Sequence, residues 1–496
     1  MAAPIDELCL SPTESTLPSD EHEQLLLELN ELHDLKTPER LSTPGILLLT
    51  CPSLGLQVCW FLLQSSGTPY LRSLGMAPSS ISLTFALGPI FGAFAQPIVG
   101  QLSDELHHPL GRRKPVMIAG ALTTIISTLL MACAPELTSS VIDTTTANPW
   151  QPRALAAACL VIILLALTAY SVGVRAIVVD ACPPSQQPVA AAWSMRWNVL
   201  GSAVLSTAGF VSTTQSPDTD PVVSFRMLAC VAAICSAATV GLVCWFVPRD
   251  TTPPLWRSGS GSGIGRVWAM CLPGELARRW GHLPPLTARV CGVQLVAWFG
   301  WFPVLYNMST YAYETALSEF LQTPNLETPS PETLAKPYPL YASLSIALGT
   351  LLSTLLLTLL SQIPTVLHPR NLPRVWLLSQ LLATTSLLLT IPFQTSTAAL
   401  ILLSLIGATQ AVTMWVPFAL INTELAEVRT GVAGVQGLHN MAISLPQVAS
   451  ALVCAVVLAG LDLLGVGRDV VWLLRLAAVP IAWSAWLIWR LDGAVA

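Results

Sequence analysis

Gln96 to Pro115 reads QPIVGQLSDELHHPLGRRKP. Apolar runs flank it on both sides, Ile81 to Val99 before and Val116 to Cys133 after. Its charge is concentrated in Asp104 and in the cluster Gly111, Arg112, Arg113 and Lys114. A carboxylate closing one apolar run and three cations opening the next cannot lie in hydrocarbon. The stretch therefore reads as a tight loop at a membrane face, joining two spanning helices. Its excess of cations places it on the cytoplasmic side.

The rest of the chain has a matching composition. Of 496 residues, 53% are hydrophobic and only 10% are charged, and the mean hydropathy is +0.63. Soluble domains carry about a quarter charged residues. Apolar runs of roughly 20 residues recur, each long enough to span a bilayer as a helix. The net charge of −5 sits largely in the N-terminal tail and offers no basic footprint for nucleic acid. Most of the twelve Cys are scattered through apolar runs without CxxC or Cys/His ligand spacing, so they read as small core residues. No metal and no cofactor is expected. A membrane enzyme is disfavoured, because G-x-S-x-G, H-E-x-x-H and a phosphate-cradling glycine loop are all missing.

Residues 1–44 form a polar, Pro-punctuated tail, expected to be disordered and cytoplasmic, with no secretory signal pattern. Within it, Glu21 to Leu26 reads either as an acidic di-leucine sorting signal or as part of a short amphipathic helix, Glu21 to Leu35. Spans follow at about Gly45–Ser66, Ile81–Val99, Val116–Cys133, Arg153–Val174, Ala191–Val211 and Phe225–Phe246. Residues 248–288 hold a Gly-Ser run and several Arg and read as a cytoplasmic linker, with surface-helix character near Trp268 to Trp280. Six more spans begin at Arg289, Leu340, Arg374, Ala398, Gly431 and Val470. Gly67-Thr68-Pro69 at the first exit and Pro303 within the seventh span are expected to unwind their helices locally.

Two six-span halves, 45–247 and 289–490, share a faint repeat. Gly55-x-Gln57 matches Gly292-x-Gln294 at an offset of 237, and Asn198 and Ser202 match Asn440 and Ser444 at 242. With both ends inside, twelve Arg and Lys fall in cytoplasmic loops and five in external ones, which satisfies the positive-inside rule. The expected fold is all-α, with twelve transmembrane helices in two parallel six-helix halves.

The ordered pattern G-x-x-x-D then G-R-R-K resembles the loop between the second and third helices of major facilitator transporters. Six residues, Glu105 to Leu110, separate the two parts here. That longer spacing resembles the sucrose and alpha-glucoside branch, with its fungal permeases, plant sucrose transporters and vertebrate melanocyte relatives. GLQVCWFLLQSSGTPYLRSLG and VQLVAWFGWFPVLYNMSTY are similar to the first and seventh helices of the fungal permeases. Val174-Arg175-Ala-Ile-Val-Val-Asp180 resembles the family's C-R-A-L-x-x-D, and GVQGLHNMAISLPQ its G-x-H-N stretch. The resemblance implies sugar transport by alternating access, with sucrose- or maltose-like glucosides as substrates. The rival from another class is a non-transporting sugar sensor on the same bundle, or a facilitator of another small polar solute.

Site expectations follow from chemistry and resemblance together. Arg175 is either a donor to sugar hydroxyls or a clamp paired with Asp180 or Asp104; the resemblance favours the first. Gln57, Gln294, Trp298 and Asn440 are further substrate candidates, with Trp301 and Tyr306 offering flat faces or plain packing. Arg196, beside Trp193, is a cavity cation or an anchor at a helix start. Asp104, Arg112, Arg113, Asp180 and Glu424 are gating candidates. Asp104 is expected at the N-terminus of the eleventh span and Glu424 beside an Arg. Protons are a candidate second partner, with Asp180 and His439 as carriers. The positions that hold acids in proton-coupled relatives are Leu63 and Leu164 here, so weak or absent coupling is expected. A monomer in the bilayer is expected, in the plasma membrane or else a vacuolar or endosomal one.

Overall fold

The computed structural model describes residues 39–139, 150–215, 220–248, 273–322, 330–360, 369–428, 431–465 and 470–495. The sorting-signal stretch, the Gly-Ser run of the linker and the loop residues His368, Arg429 and Arg468 lie outside them. Twelve long helices run through the described residues. They are α1 (Thr43–Ser73), α2 (Pro78–Glu105), α3 (Arg113–Ala132), α4 (Trp150–Ala181), α5 (Gln187–Gln215), α6 (Pro221–Phe246), α7 (Pro285–Leu321), α8 (Tyr338–Leu360), α9 (Leu372–Leu388), α10 (Ser396–Val428), α11 (Val432–Leu463) and α12 (Val471–Val495). Ten of the twelve are long and apolar enough to cross a membrane. Ser194, Arg196, Asn198 and Ser202 lower the hydropathy of α5, and α9 has only 17 residues.

Helix starts follow ordinary capping chemistry. Ser42 Oγ accepts from Gly45 N at 3.4 Å before α1, and Asp220 Oδ1 accepts from Val222 N at 2.9 Å before α6. Pro44 and Pro221 sit in the first turns, where a missing N–H costs nothing. Gly111 takes φ 87°, and its N–H donates to His108 O at 2.9 Å, tightening the turn that leads into α3.

The helices run several residues beyond the apolar runs, so Asp104, Arg113, Arg175 and Asp180 are all helical. Two expectations of unwinding are corrected. Before Gly67-Thr68-Pro69, α1 widens into a π-turn over Leu63–Gly67 and then resumes as helix. Pro303 lies within an unbroken α7, as a single lost N–H bond permits. The surface helix of the linker is Pro273–Gly281, and α7 starts at Pro285 rather than Arg289.

One apolar core is built from residues 46–243 alone and another from residues 297–481 alone, which marks the two halves. A third joins them, with Val172, Ala176, Val179 and Ala191 against Val290, Trp376, Val412 and Trp415. Lipid is as apolar as a helix surface, so close backbone approach carries much of this association. Gly100 and Gly437 permit it between α2 and α11. A Cβ on Gly100 would stand 2.2 Å from Ala433 O, and one on Gly437 2.5 Å from Pro97 Cα. Any larger residue at either position would push the halves apart.

Candidate functional site

α2 ends at the basic loop, and Asp104 there reaches the other half. Its Oδ1 accepts from Ala433 N at 3.2 Å and its Oδ2 from Gly434 N at 2.8 Å, at the N-terminus of α11. Free N–H groups and the positive end of the helix dipole make this a favourable seat for a carboxylate. Arg113 holds the same carboxylate, Nη2 to Oδ1 at 2.7 Å. Arg113 also donates through Nε to Asp180 Oδ2 at 2.6 Å and through Nη1 to Ser103 Oγ at 3.1 Å. Its side chain is 2% exposed, so it is a buried cation between two carboxylates. Arg112 lies 3.7 Å from Asp180 Oδ2. Lys114 Nζ donates to Cys244 O and Val247 O, at 3.1 and 2.6 Å, and neutralises the C-terminus of α6.

This network leaves Arg175 apart from both carboxylates. The partner of Asp104 and Asp180 is Arg113, so Arg175 is not their clamp. Arg175 Nη1 instead donates to Asn440 Oδ1 at 3.2 Å, and its Cζ lies 4.7 Å from the centre of the Phe418 ring. Asn440 Nδ2 donates to Gly92 O and to Ser444 Oγ, both at 3.1 Å. Asn440 thus ties α11 to α4 and α2 of the other half. His439, next to it, is fully buried with both ring nitrogens unpartnered, and it meets Phe418 edge-on at 4.7 Å.

Glu424 is held by backbone, and the nearby Arg429 lies outside the described residues. The partners of Glu424 are the N–H groups of Leu286 and Thr287, at 2.9 and 2.6 Å, and the Thr287 hydroxyl at 2.6 Å. It caps α7, and no Arg pairs with it among the described residues. Gln186 has a matching place in the first half, since its amide clasps Leu41 just before α1, with both bonds at 2.9 Å.

The remaining candidates divide between the halves. Gln57 Nε2 donates to Ser202 Oγ at 3.1 Å. Gln294 is fully buried and neither amide atom has a partner. Trp298 and Trp301 are buried with unpartnered indole N–H groups, and Tyr306 is exposed and stacked on Phe302. Arg196 lies over the Trp193 ring at 4.5 Å, and lines a small cleft with Met195, Thr354, Leu357 and Trp415. Leu63 and Leu164 are both 1% exposed within the first half's core.

Phe418 and Gln436 are missing from the sequence-level candidates. Gln436 Nε2 donates to Asn422 Oδ1 at 3.1 Å, beneath the Arg175 backbone. Phe418 stands in an apolar run, where an aromatic residue carries no local sign of a cation above it. Gln436 opens a helix otherwise read through its neighbours His439 and Asn440.

The site's geometry is that of a helical bundle whose halves meet around buried polar groups. The general alpha-glucoside permease of Schizosaccharomyces pombe is 25% identical, over 94% of this chain and 97% of that protein. The sucrose transport protein SUT5 of Oryza sativa subsp. indica is 26% identical, over 80% of this chain and 79% of that one. Among solved structures, the E. coli fucose:proton symporter FucP aligns over 90% of this chain and 98% of its own, with TM-score 0.61 and 14% identity. The proton:xylose symporter XylE aligns over 90% and 95%, with TM-score 0.60 and 14% identity. The family model for the Major Facilitator Superfamily matches residues 53–451. With most of its length in that match, the chain is a multi-pass integral membrane protein and belongs to the Major Facilitator Superfamily.

Proposed function

We propose that this chain carries a small glycoside across a membrane by alternating access, with the site around Arg175, Phe418, His439 and Asn440. One observation carries the reading: Arg175 of the first half bonds Asn440 of the second, at 3.2 Å, where the halves meet. A solute with hydroxyl groups competes for both side chains, because guanidinium donates and the carboxamide both donates and accepts. Binding there changes what holds the halves together, which alternating access requires. The relatives named for alpha-glucosides and sucrose support the substrate class.

Asp104 and Arg113 act as the gate on the basic-loop side, a reading supported by the cap that Asp104 places on α11. Gln57, Gln294 and Trp298 are assigned to the walls of the solute path. Transport is uncoupled from protons. Leu63 and Leu164 are packed in the core, and Asp180 is engaged by Arg113, away from Arg175. The protein works as a monomer in the plasma membrane. Uptake of labelled maltose and sucrose into proteoliposomes tests the reading, with a pH dye inside. Uptake without proton movement is expected. Stoichiometric proton entry that an uncoupler abolishes would overturn the uncoupled mechanism, and binding without uptake would make the protein a sensor.

A further inference from the structure

Arg175 is a half-buried cation in contact with a neutral amide and an aromatic face. No carboxylate among the described residues pairs with it. The acids of the twelve helices stand toward helix ends: Asp104 and Glu105 on α2, Asp180 on α4, Glu314 and Glu319 on α7, Glu424 and Glu427 on α10, Asp462 on α11, and Asp492 on α12. Those whose contacts are known are engaged where they stand. Asp104 and Asp180 hold Arg113, Glu424 caps α7, Glu319 accepts from Ser396 N, and Glu314 accepts from Val470 N. The same helices carry Arg175, Arg196 and His439. Guanidinium keeps its proton at any physiological pH, so it cannot shed its charge as a buried Lys can. A half-buried cation without a carboxylate partner is costly, and the ring of Phe418 offsets only part of that cost. Beside it, His439 has both nitrogens unpartnered in a fully buried position.

We propose that the transported solute is a glycoside bearing a carboxylate, whose oxygens pair with the Arg175 guanidinium while its hydroxyls meet Asn440 and His439. The proposal rests on the glycoside reading above and narrows it to sugar acids. A carboxylate accepts two parallel N–H bonds from the guanidinium fork, stronger than the single bond to Asn440 Oδ1 that it displaces. Displacement releases the α4–α11 tie, so charge recognition and separation of the halves are one event. Such a solute moves as an anion without a proton, and its flux is electrogenic.

Maltobionate and maltitol test this directly. Both carry an α-glucosyl group on the same open-chain polyol and differ at one carbon, carboxylate against alcohol. In proteoliposomes of the full chain, maltobionate should bind at least about thirty-fold more tightly, the gain of one charge-assisted pair. Its uptake should rise when valinomycin and potassium make the interior positive, and fall when they make it negative. Near equilibrium, about 60 mV should give tenfold accumulation, from about 2.3 kcal/mol per charge per 100 mV. Arg175→Gln should weaken maltobionate binding far more than maltitol binding and so remove the preference between them, and Arg175→Lys should keep the sign of the preference with weaker binding. Equal or better binding of maltitol by the native protein, or maltobionate uptake indifferent to potential, would overturn the proposal and leave the glycoside reading standing. Binding of neither probe by folded protein would overturn both. Should Arg175→Gln fail to fold, the native protein and Arg175→Lys decide the question.

Discussion

Gln57 and Gln294 occupy matching positions in the two halves, yet their surroundings differ. Gln57 on α1 donates to Ser202 on α5 within its own half. The matching serine, Ser444 on α11, is bonded to Asn440, which also holds Arg175 and Gly92 of the opposite half. Gln294 is left buried with no partner. At this pair the first half bonds its glutamine to its own serine, whereas the second turns the matching serine to Asn440 at the interface and leaves its glutamine unbonded. The loop-side ends differ in the opposite sense. A charged cluster centred on Arg113 joins α2, α3 and α4 of the first half to α11, whereas Glu424 in the second half caps α7 without leaving it. An internal repeat therefore supplies equivalent positions, and the partners available across the interface decide what each does.

The largest effect should come from Arg113→Leu. It leaves two partly buried carboxylates facing each other without their cation, a loss of about 3–5 kcal/mol. Thermal unfolding in detergent should show it, with partial rescue by Asp180→Asn. A stable single mutant would mean that the first half is not centred on this cluster. Asp104→Asn comes next. The neutral amide keeps one acceptor at the α11 terminus but loses the charge–dipole and ion-pair terms, about 1–2 kcal/mol. Solute binding should persist while transport slows, and crosslinking between cysteines placed at Gln101 and Gly434 should fall several-fold. Full loss of binding would place Asp104 in the site and not at a gate.

The glutamine pair tests the comparison most directly. Gln57→Leu removes a formed bond and should destabilise the empty protein by about 1 kcal/mol. Gln294→Leu removes an unsatisfied amide, so it should be neutral or stabilising in the empty protein and weaken solute binding. Equal destabilisation by both would erase the asymmetry. The smallest effect concerns the helix before α7. Arg278 and Arg279 bond Glu275 and hold its carboxylate down at about 2, where a free one titrates near 4.5. A depressed carboxylate stabilises the fold above its unfolded value and loses that contribution as pH falls through the folded one. Amide protection over 275–281, taken against the intrinsic exchange rate at each pH, should therefore fall between about pH 4.5 and 2, by only a few tenths of a kcal/mol because these groups are near water.

Periodicity and charge placement were enough to read the membrane class, the long helices and the loop at Arg112 to Lys114, because hydrocarbon tolerates only apolar, internally bonded segments. The same physics put Asp104 beside the start of α11, a carboxylate at a helix end being a local preference. The role of Arg175 was not decided at that level. Asp180 lies five residues along the same helix, and only the packing of α3 shows that Arg113 has taken it. Glu424 was read as the partner of an Arg because charge attracts charge, whereas the approach of α7 offers it backbone N–H groups instead. Phe418 and Gln436 gain their places from α4 crossing α10 and α11, contacts more than two hundred residues apart in the chain. Sequence thus determined which segments span the membrane, since each segment meets lipid on its own. Tertiary structure decided which buried polar group meets which, since those pairings exist only once two halves of near-equal pattern have packed asymmetrically against each other.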